Sequence, residues 1–200
     1  MTKILFVFFL LSTQIFAKSF VPKNFSASFE QVYKSALTGK EKRSKGQIDY
    51  SYPSSIKLIT SSPESLTYVS NRDKTWYYTP PFIEGEPGQL TVQEATKNTL
   101  TKFLNVLKKG LKSNKVYSVK MLKNSYLLSF KKKAKKQLGI KEATLFFKNN
   151  QAKFRELKTV KMILTNKKVK VLELSKINES PKFNKNHFVF TAPKNTKVNK

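Results

Sequence analysis

Residues 69–83, V-S-N-R-D-K-T-W-Y-Y-T-P-P-F-I, leave little freedom in how this chain folds. A run with strand propensity at 65–70 enters a polar turn at Asn71-Arg72-Asp73, and an aromatic run, Trp76-Tyr77-Tyr78, leaves it until Pro80-Pro81 stops it. That pattern predicts a β-hairpin with a longer loop. Two-residue alternation extends on both sides. Phe25, Ala27, Phe29, Gln31 and Tyr33 share one face of a first long strand, and strands follow at 46–52 and 56–61. Later strands are predicted at 116–122, 126–131, 143–148, 153–164, 169–177 and 187–191. Asn124, Asn149-Asn150 and Asn166 fall where turns are needed, as suits a residue that tolerates left-handed geometry. Strands at this spacing point to an antiparallel meander rather than a parallel α/β sheet.

One segment departs from the alternation. Residues 91–94, T-V-Q-E, have the form of a capping box, and Leu100, Phe103, Leu104, Leu107 and Leu111 then recur as a single helical stripe, with Gly110 and Asn114 marking its end. A lone helix on a curved sheet plugs its concave side. There it is either a permanent core element or a lid over a cavity, and an apolar stripe alone favours core.

The N-terminus bounds where the protein works. Lys3, the apolar run 4–11 and a cleavage site at Ile15-Phe16-Ala17 read as a secretory signal peptide, so residues 1–17 are expected to be removed and 18–200 to form one domain. The apolar run is well short of the ~20 residues a spanning helix needs. The chain has no cysteine, so export brings no disulfide framework, and sixteen Phe, eight Tyr and one Trp must build the core.

Charge is lopsided, at +27 for the whole chain. No acid lies between Glu94 and Glu142, whereas fourteen lysines do. Such a field favours anionic surfaces, or is simply a solvated face. Arg43, Arg72 and Arg155 are the only arginines, so diffuse attraction is expected rather than a specific bidentate phosphate site. Export argues against nucleic acid as the partner. His187 is the only histidine, no glycine-rich phosphate loop exists, and the acids are scattered, with Glu84 and Glu86 in a loop. These residues predict a non-enzyme without metal or cofactor.

Five segments in order resemble one family. Phe25-Ser-Ala-Ser-Phe29-Glu-Gln31 is similar to the F-x-A-x-F-x-Q opening strand of the periplasmic outer-membrane lipoprotein carrier (LolA) family. Gly46 and Tyr52-Pro53 resemble its second strand and turn, and 61–80 its hairpin. Residues 100–107 fall where it has a central helix, and His187-Phe-Val-Phe190-Thr-Ala-Pro193, followed by Val198, resembles its closing strand. The resemblance implies a mainly β (α+β) fold, a single antiparallel sheet curved into an incomplete β-barrel with a helical lid or plug over a hydrophobic cavity. It further implies a periplasmic monomer. This would take triacylated lipoproteins from an inner-membrane lipoprotein-releasing transporter to an outer-membrane acceptor, burying their acyl chains. Candidate cavity residues are Phe29, Ile56, Leu58, Trp76, Tyr78, Phe103, Leu104 and Leu107. Two features depart from the family pattern. Little chain precedes Phe25 for an N-terminal helix, and Tyr52 stands where an arginine often latches the lid. Other readings of the same fold are a periplasmic binder of another lipid or of lipopolysaccharide, or a lipoprotein-sensing interaction protein.

Overall fold

A computed structural model describes residues 19–34, 38–95, 99–149 and 151–199. The expected signal peptide lies outside the described residues. Six strands form a first meander: β1 (Asn24–Lys34), β2 (Glu41–Ser51), β3 (Ser55–Ser62), β4 (Leu66–Ser70), β5 (Lys74–Thr79) and β6 (Gly88–Glu94). Helix α1 (Thr99–Leu107) leads to a second meander of β7 (Tyr117–Leu122), β8 (Ser125–Phe130), β9 (Ile140–Phe147), β10 (Leu157–Leu164) and β11 (Val169–Asn178). A second helix, α2 (Lys132–Leu138), is inserted between β8 and β9, and a short β12 (Thr196–Asn199) ends the chain.

All twelve strands belong to one sheet, in the order β12-β6-β5-β4-β3-β2-β1-β11-β10-β9-β8-β7. The two meanders are joined by the antiparallel pair β1 and β11, with Phe29 opposite Leu174. The sheet therefore stays open, with β7 at one edge and β12 at the other. This topology explains α1: the chain leaves β6 near one edge and must reach β7 at the opposite edge, and the short path runs across the concave side. Register irregularities at Ser26/Ser28, Lys45/Gly46 and Leu157/Thr159 add the local twist that curls such a sheet. Gly46 is required there. A Cβ at this position would sit 2.0 Å from the Ile59 carbonyl oxygen and 3.0 Å from the Phe29 ring.

Alternation sorts the side chains by face. Phe25, Ala27 and Phe29 of β1, Ile48 and Tyr50 of β2, Ile56 of β3 and Leu145 of β9 all enter one large buried cluster on the concave side. Val69, Trp76 and Leu90 form a second, smaller cluster with Tyr78, Val92, Phe188, Phe190 and Ala192.

Several expectations are corrected. Residues 91–94 are the end of β6, not a helix cap: Thr91 pairs with Tyr77 and Val92 with Trp76, so sheet hydrogen bonds take the backbone groups a cap would use. α1 ends at Leu107, ahead of Gly110, whose φ of +85 belongs to the following turn. Residues 187–191 are not a strand but turn and irregular chain lying on the second cluster, and the closing strand is β12, parallel to β6. The stretch 153–156 holds a 3₁₀ turn, so β10 starts at Leu157. α2 has no counterpart among the expected elements. Its apolar signal is only Ala134 and Leu138, one turn apart amid lysines.

Candidate functional site

The concavity is occupied by α1. Phe103, Leu104 and Leu107 point into it at 1%, 5% and 0% exposure, and the periodicity that places them on one helix face is the stripe seen in the sequence. Phe103 meets Phe130 of β8 edge-on at 6.3 Å, and Phe130 in turn meets Tyr117 at 5.7 Å. On the other flank, Phe25 stacks obliquely on Tyr50 at 5.3 Å and on Phe154 at 4.8 Å. Ala134 and Leu138 of α2 close the same cluster.

Few polar contacts hold α1 to the sheet. The Tyr50 hydroxyl donates to Asn105 Oδ1 at 2.5 Å, and Asn105 Nδ2 donates to the Pro53 carbonyl at 2.5 Å. Just past the helix, Lys108 Nζ donates to the Val21 carbonyl at 3.2 Å and lies 4.7 Å from the Tyr52 ring centroid, a cation–π geometry. The Tyr117 hydroxyl donates to the Gly110 carbonyl. Burial, reinforced by Tyr52 nearby, pushes the Tyr50 phenol well above the ordinary phenol range. Burial, with Lys23 adding repulsion, holds the Lys108 ammonium below its ordinary value. Tyr52, the residue at the arginine position, thus faces a cation on the helix side instead of supplying one.

Of the eight sequence-predicted cavity residues, the structure brings six together. Phe29, Ile56, Phe103, Leu104 and Leu107 are buried in the concave cluster, and Leu58 packs against it half-buried. Trp76 and Tyr78 are not with them. On β5 it is Tyr77 that faces the concave cluster, meeting Tyr68 at 4.9 Å, while Trp76 and Tyr78 belong to the outer cluster, where Tyr78 meets Phe190 at 5.0 Å. The pattern Trp76-Tyr77-Tyr78 is apolar on both faces, because the returning chain covers the outer one. The expectation missed Tyr68, Tyr77, Phe130 and Leu145, all concave and all on strands with the alternation that marks them.

A separate cleft of about 600 Å³ opens at the Gly46 irregularity, bordered by Ser28, Glu30, Lys45 and Glu173. Of the predicted residues only Phe29 borders it, and an ion-pair cluster crosses it, with Arg43 to Glu30 at 2.6 Å and Lys45 to Glu30 at 3.5 Å. Among the described residues no three acidic or imidazole side chains converge where a metal ion could sit, and no helix is long and apolar enough to cross a membrane.

An open curved sheet with an apolar helix lodged in its concavity defines a class, the incomplete β-barrel with a plugged interior, built for burying apolar surface. The family model described as outer membrane lipoprotein carrier protein LolA matches residues 22–191, and the chain belongs to that family. It is accordingly a binding protein and not an enzyme. Curated relatives named outer-membrane lipoprotein carrier protein, from Francisella tularensis subsp. novicida (strain U112) and subsp. tularensis (strain WY96-3418), are each 29% identical over 178 residues, covering 86% of this chain and 80% of theirs. Among solved structures, a LolA superfamily protein from Nitrosomonas europaea is similar at 12% identity and a TM-score of 0.42, covering 86% of this chain and 92% of that one.

Proposed function

We propose that this protein carries lipoproteins through the periplasm by burying their acyl chains on the concave face, with α1 as the internal occupant that the cargo displaces. The observation that carries the reading is the placement of Phe103, Leu104 and Leu107, one helix face buried in the concave cluster that also holds Phe29 and Ile56, with Leu58 packed against it. Those three side chains hold about the hydrocarbon of one long acyl chain. Each methylene transferred contributes about 0.8 kcal/mol, so the buried helix face offsets part of what the acyl chains gain and keeps exchange reversible. No directional bonds are needed for acyl recognition, which suits an all-apolar lining. The curated relatives' shared name agrees with lipoproteins as cargo.

On this reading residues 1–17 direct export and 18–200 act as a monomer. It collects triacylated cargo from an inner-membrane transporter and delivers it to an outer-membrane acceptor. Asn105 and Lys108 do the work of the missing arginine: they tie α1 to the β2–β3 turn when the interior is empty.

The test is a release assay, in which purified protein is added to spheroplasts making labelled lipoproteins and the medium is searched for soluble complexes. A complex that persists at high salt is expected, since buried hydrocarbon is not screened. Recovery of lipopolysaccharide or free phospholipid in place of lipoprotein would contradict this reading and favour a general lipid binder.

A further inference from the structure

We infer that the rim of the sheet bearing α2 is a docking face for an anionic phospholipid bilayer. Strands β5, β8 and β10 run in the same direction through the antiparallel order. The segments that leave their C-terminal ends therefore emerge at one rim: the 80–87 loop after β5, α2 after β8, and the 165–168 turn after β10.

Two of these are one basic patch. Ala134 and Leu138 turn α2 toward the core, which leaves Lys132, Lys133 and Lys136 exposed, with Lys131 and Lys135 beside them. The Thr165 amide donates to the Gly139 carbonyl at 2.9 Å, pinning the turn that carries Lys167 and Lys168 against the end of α2. No ion pair among the described residues engages any of these seven lysines. A dense cationic patch without acidic partners is complementary to a surface of many mobile phosphates. Lysine, a compact point charge, serves that role better than it serves a single oriented phosphate.

The third element supplies an apolar tip. Phe82 is 97% exposed and Ile83 58%, in a loop whose base is held by Asn195 Nδ2 on the Gly85 and Glu86 carbonyls at 3.3 and 3.1 Å. A held aromatic–aliphatic pair at the rim fits the boundary between headgroups and acyl chains. Glu84 and Glu86 flank it and limit its depth, so the lysines carry most of the affinity.

The experiment is co-sedimentation of the cargo-free protein with vesicles of phosphatidylglycerol and phosphatidylethanolamine, against vesicles of phosphatidylcholine alone. Binding to the anionic vesicles only, and its loss at high salt, is expected. The combined variant Lys132→Gln, Lys133→Gln, Lys136→Gln should lose roughly fivefold in affinity per lysine at low salt. Phe82→Ser with Ile83→Ser should lose less. The comparison variant Lys74→Gln, Lys153→Gln, Lys182→Gln makes the same change in net charge at the opposite rim and should bind nearly as the parent does. Equal losses in the two triple variants would overturn the proposal in favour of unlocalised charge. Absence of anionic-vesicle binding at low salt would overturn it too and leave an acidic protein face as the partner to seek. Docking is read without cargo, so failure of the carrier reading leaves this result standing, and the reverse holds as well.

Discussion

The sheet has two apolar faces covered by two different kinds of chain. The concave one is filled by α1, and the outer cluster at Val69, Trp76 and Leu90 is covered by the 181–195 strap. A helix carries its backbone hydrogen bonds within itself, so α1 can leave the sheet without orphaning them. Side-chain contacts at Asn105, and at Lys108 just past its end, tie it to the sheet and its N-terminal flank. The strap has no such independence. Asn71 Nδ2 holds the Phe188 carbonyl at 3.1 Å, the Gly88 amide donates to the Asn195 carbonyl at 2.9 Å, and His187 Nε2 lies 2.7 Å from Asp49 Oδ2. Peeling it away would leave backbone groups and an aromatic cluster exposed together. On the proposed function the two covers have different jobs, one movable and one permanent.

The largest effect should come from the permanent side. Trp76→Ala empties the outer cluster and is expected to cost about 3–5 kcal/mol of global stability, read by chemical denaturation. Cargo capacity per folded molecule should be unchanged. Leu107→Ala on the movable side removes a fully buried side chain and is expected to cost about 2–5 kcal/mol of the closed state. Unlike the Trp76 change, it should raise lipoprotein affinity, because the internal competitor is weakened. A fall in affinity would mean that α1 is cargo-binding wall rather than occupant.

Asn105→Ala strips two hydrogen bonds and leaves the Tyr50 hydroxyl and the Pro53 carbonyl unpaired, about 1–3 kcal/mol in favour of opening. Amide exchange in α1 should accelerate while exchange in β4–β6 under the strap stays slow. The smallest effect is alkaline. The Tyr50, Tyr77 and Tyr117 phenols are raised in the folded state, chiefly by burial, from an ordinary value of 10.0. The unfolded chain therefore ionises first, so their contribution is intact below pH 10.0 and declines as pH rises toward the folded values. Lys108, lowered by burial from 10.5, works in the opposite direction and softens the decline. Denaturation midpoints should fall above pH 10.0, and less steeply in Tyr50→Phe.

Much of this fold is legible in the sequence. The β4–β5 hairpin is written locally: Asn71 Oδ1 accepts from the Asp73 and Lys74 amides, so turn and register are set by one residue. The stripe of α1 is equally local. Features that depend on distant pairing are not legible. Residues 91–94 satisfy a cap pattern and a strand pattern alike, and only β5 alongside decides. The face assignment of Trp76 and Tyr78 fails for the same reason. Alternation puts them together, yet which side is interior depends on a strap more than a hundred residues away. Within the site, α1 and the β1–β3 lining can be read from the sequence. For β8 and β9 the alternation marks one buried face, but that this face meets α1 is decided only by the crossover.

The most direct measurement uses the absence of native cysteine. Leu104→Cys places one thiol under α1 and Leu90→Cys places one under the strap, both buried in the empty protein. Each is reacted with a bulky maleimide, with and without bound lipoprotein. A movable α1 predicts slow labelling of both when empty and a rise at residue 104 alone on loading. Unchanged protection at 104 in the loaded complex would contradict it, because cargo would then be held without α1 leaving the concavity.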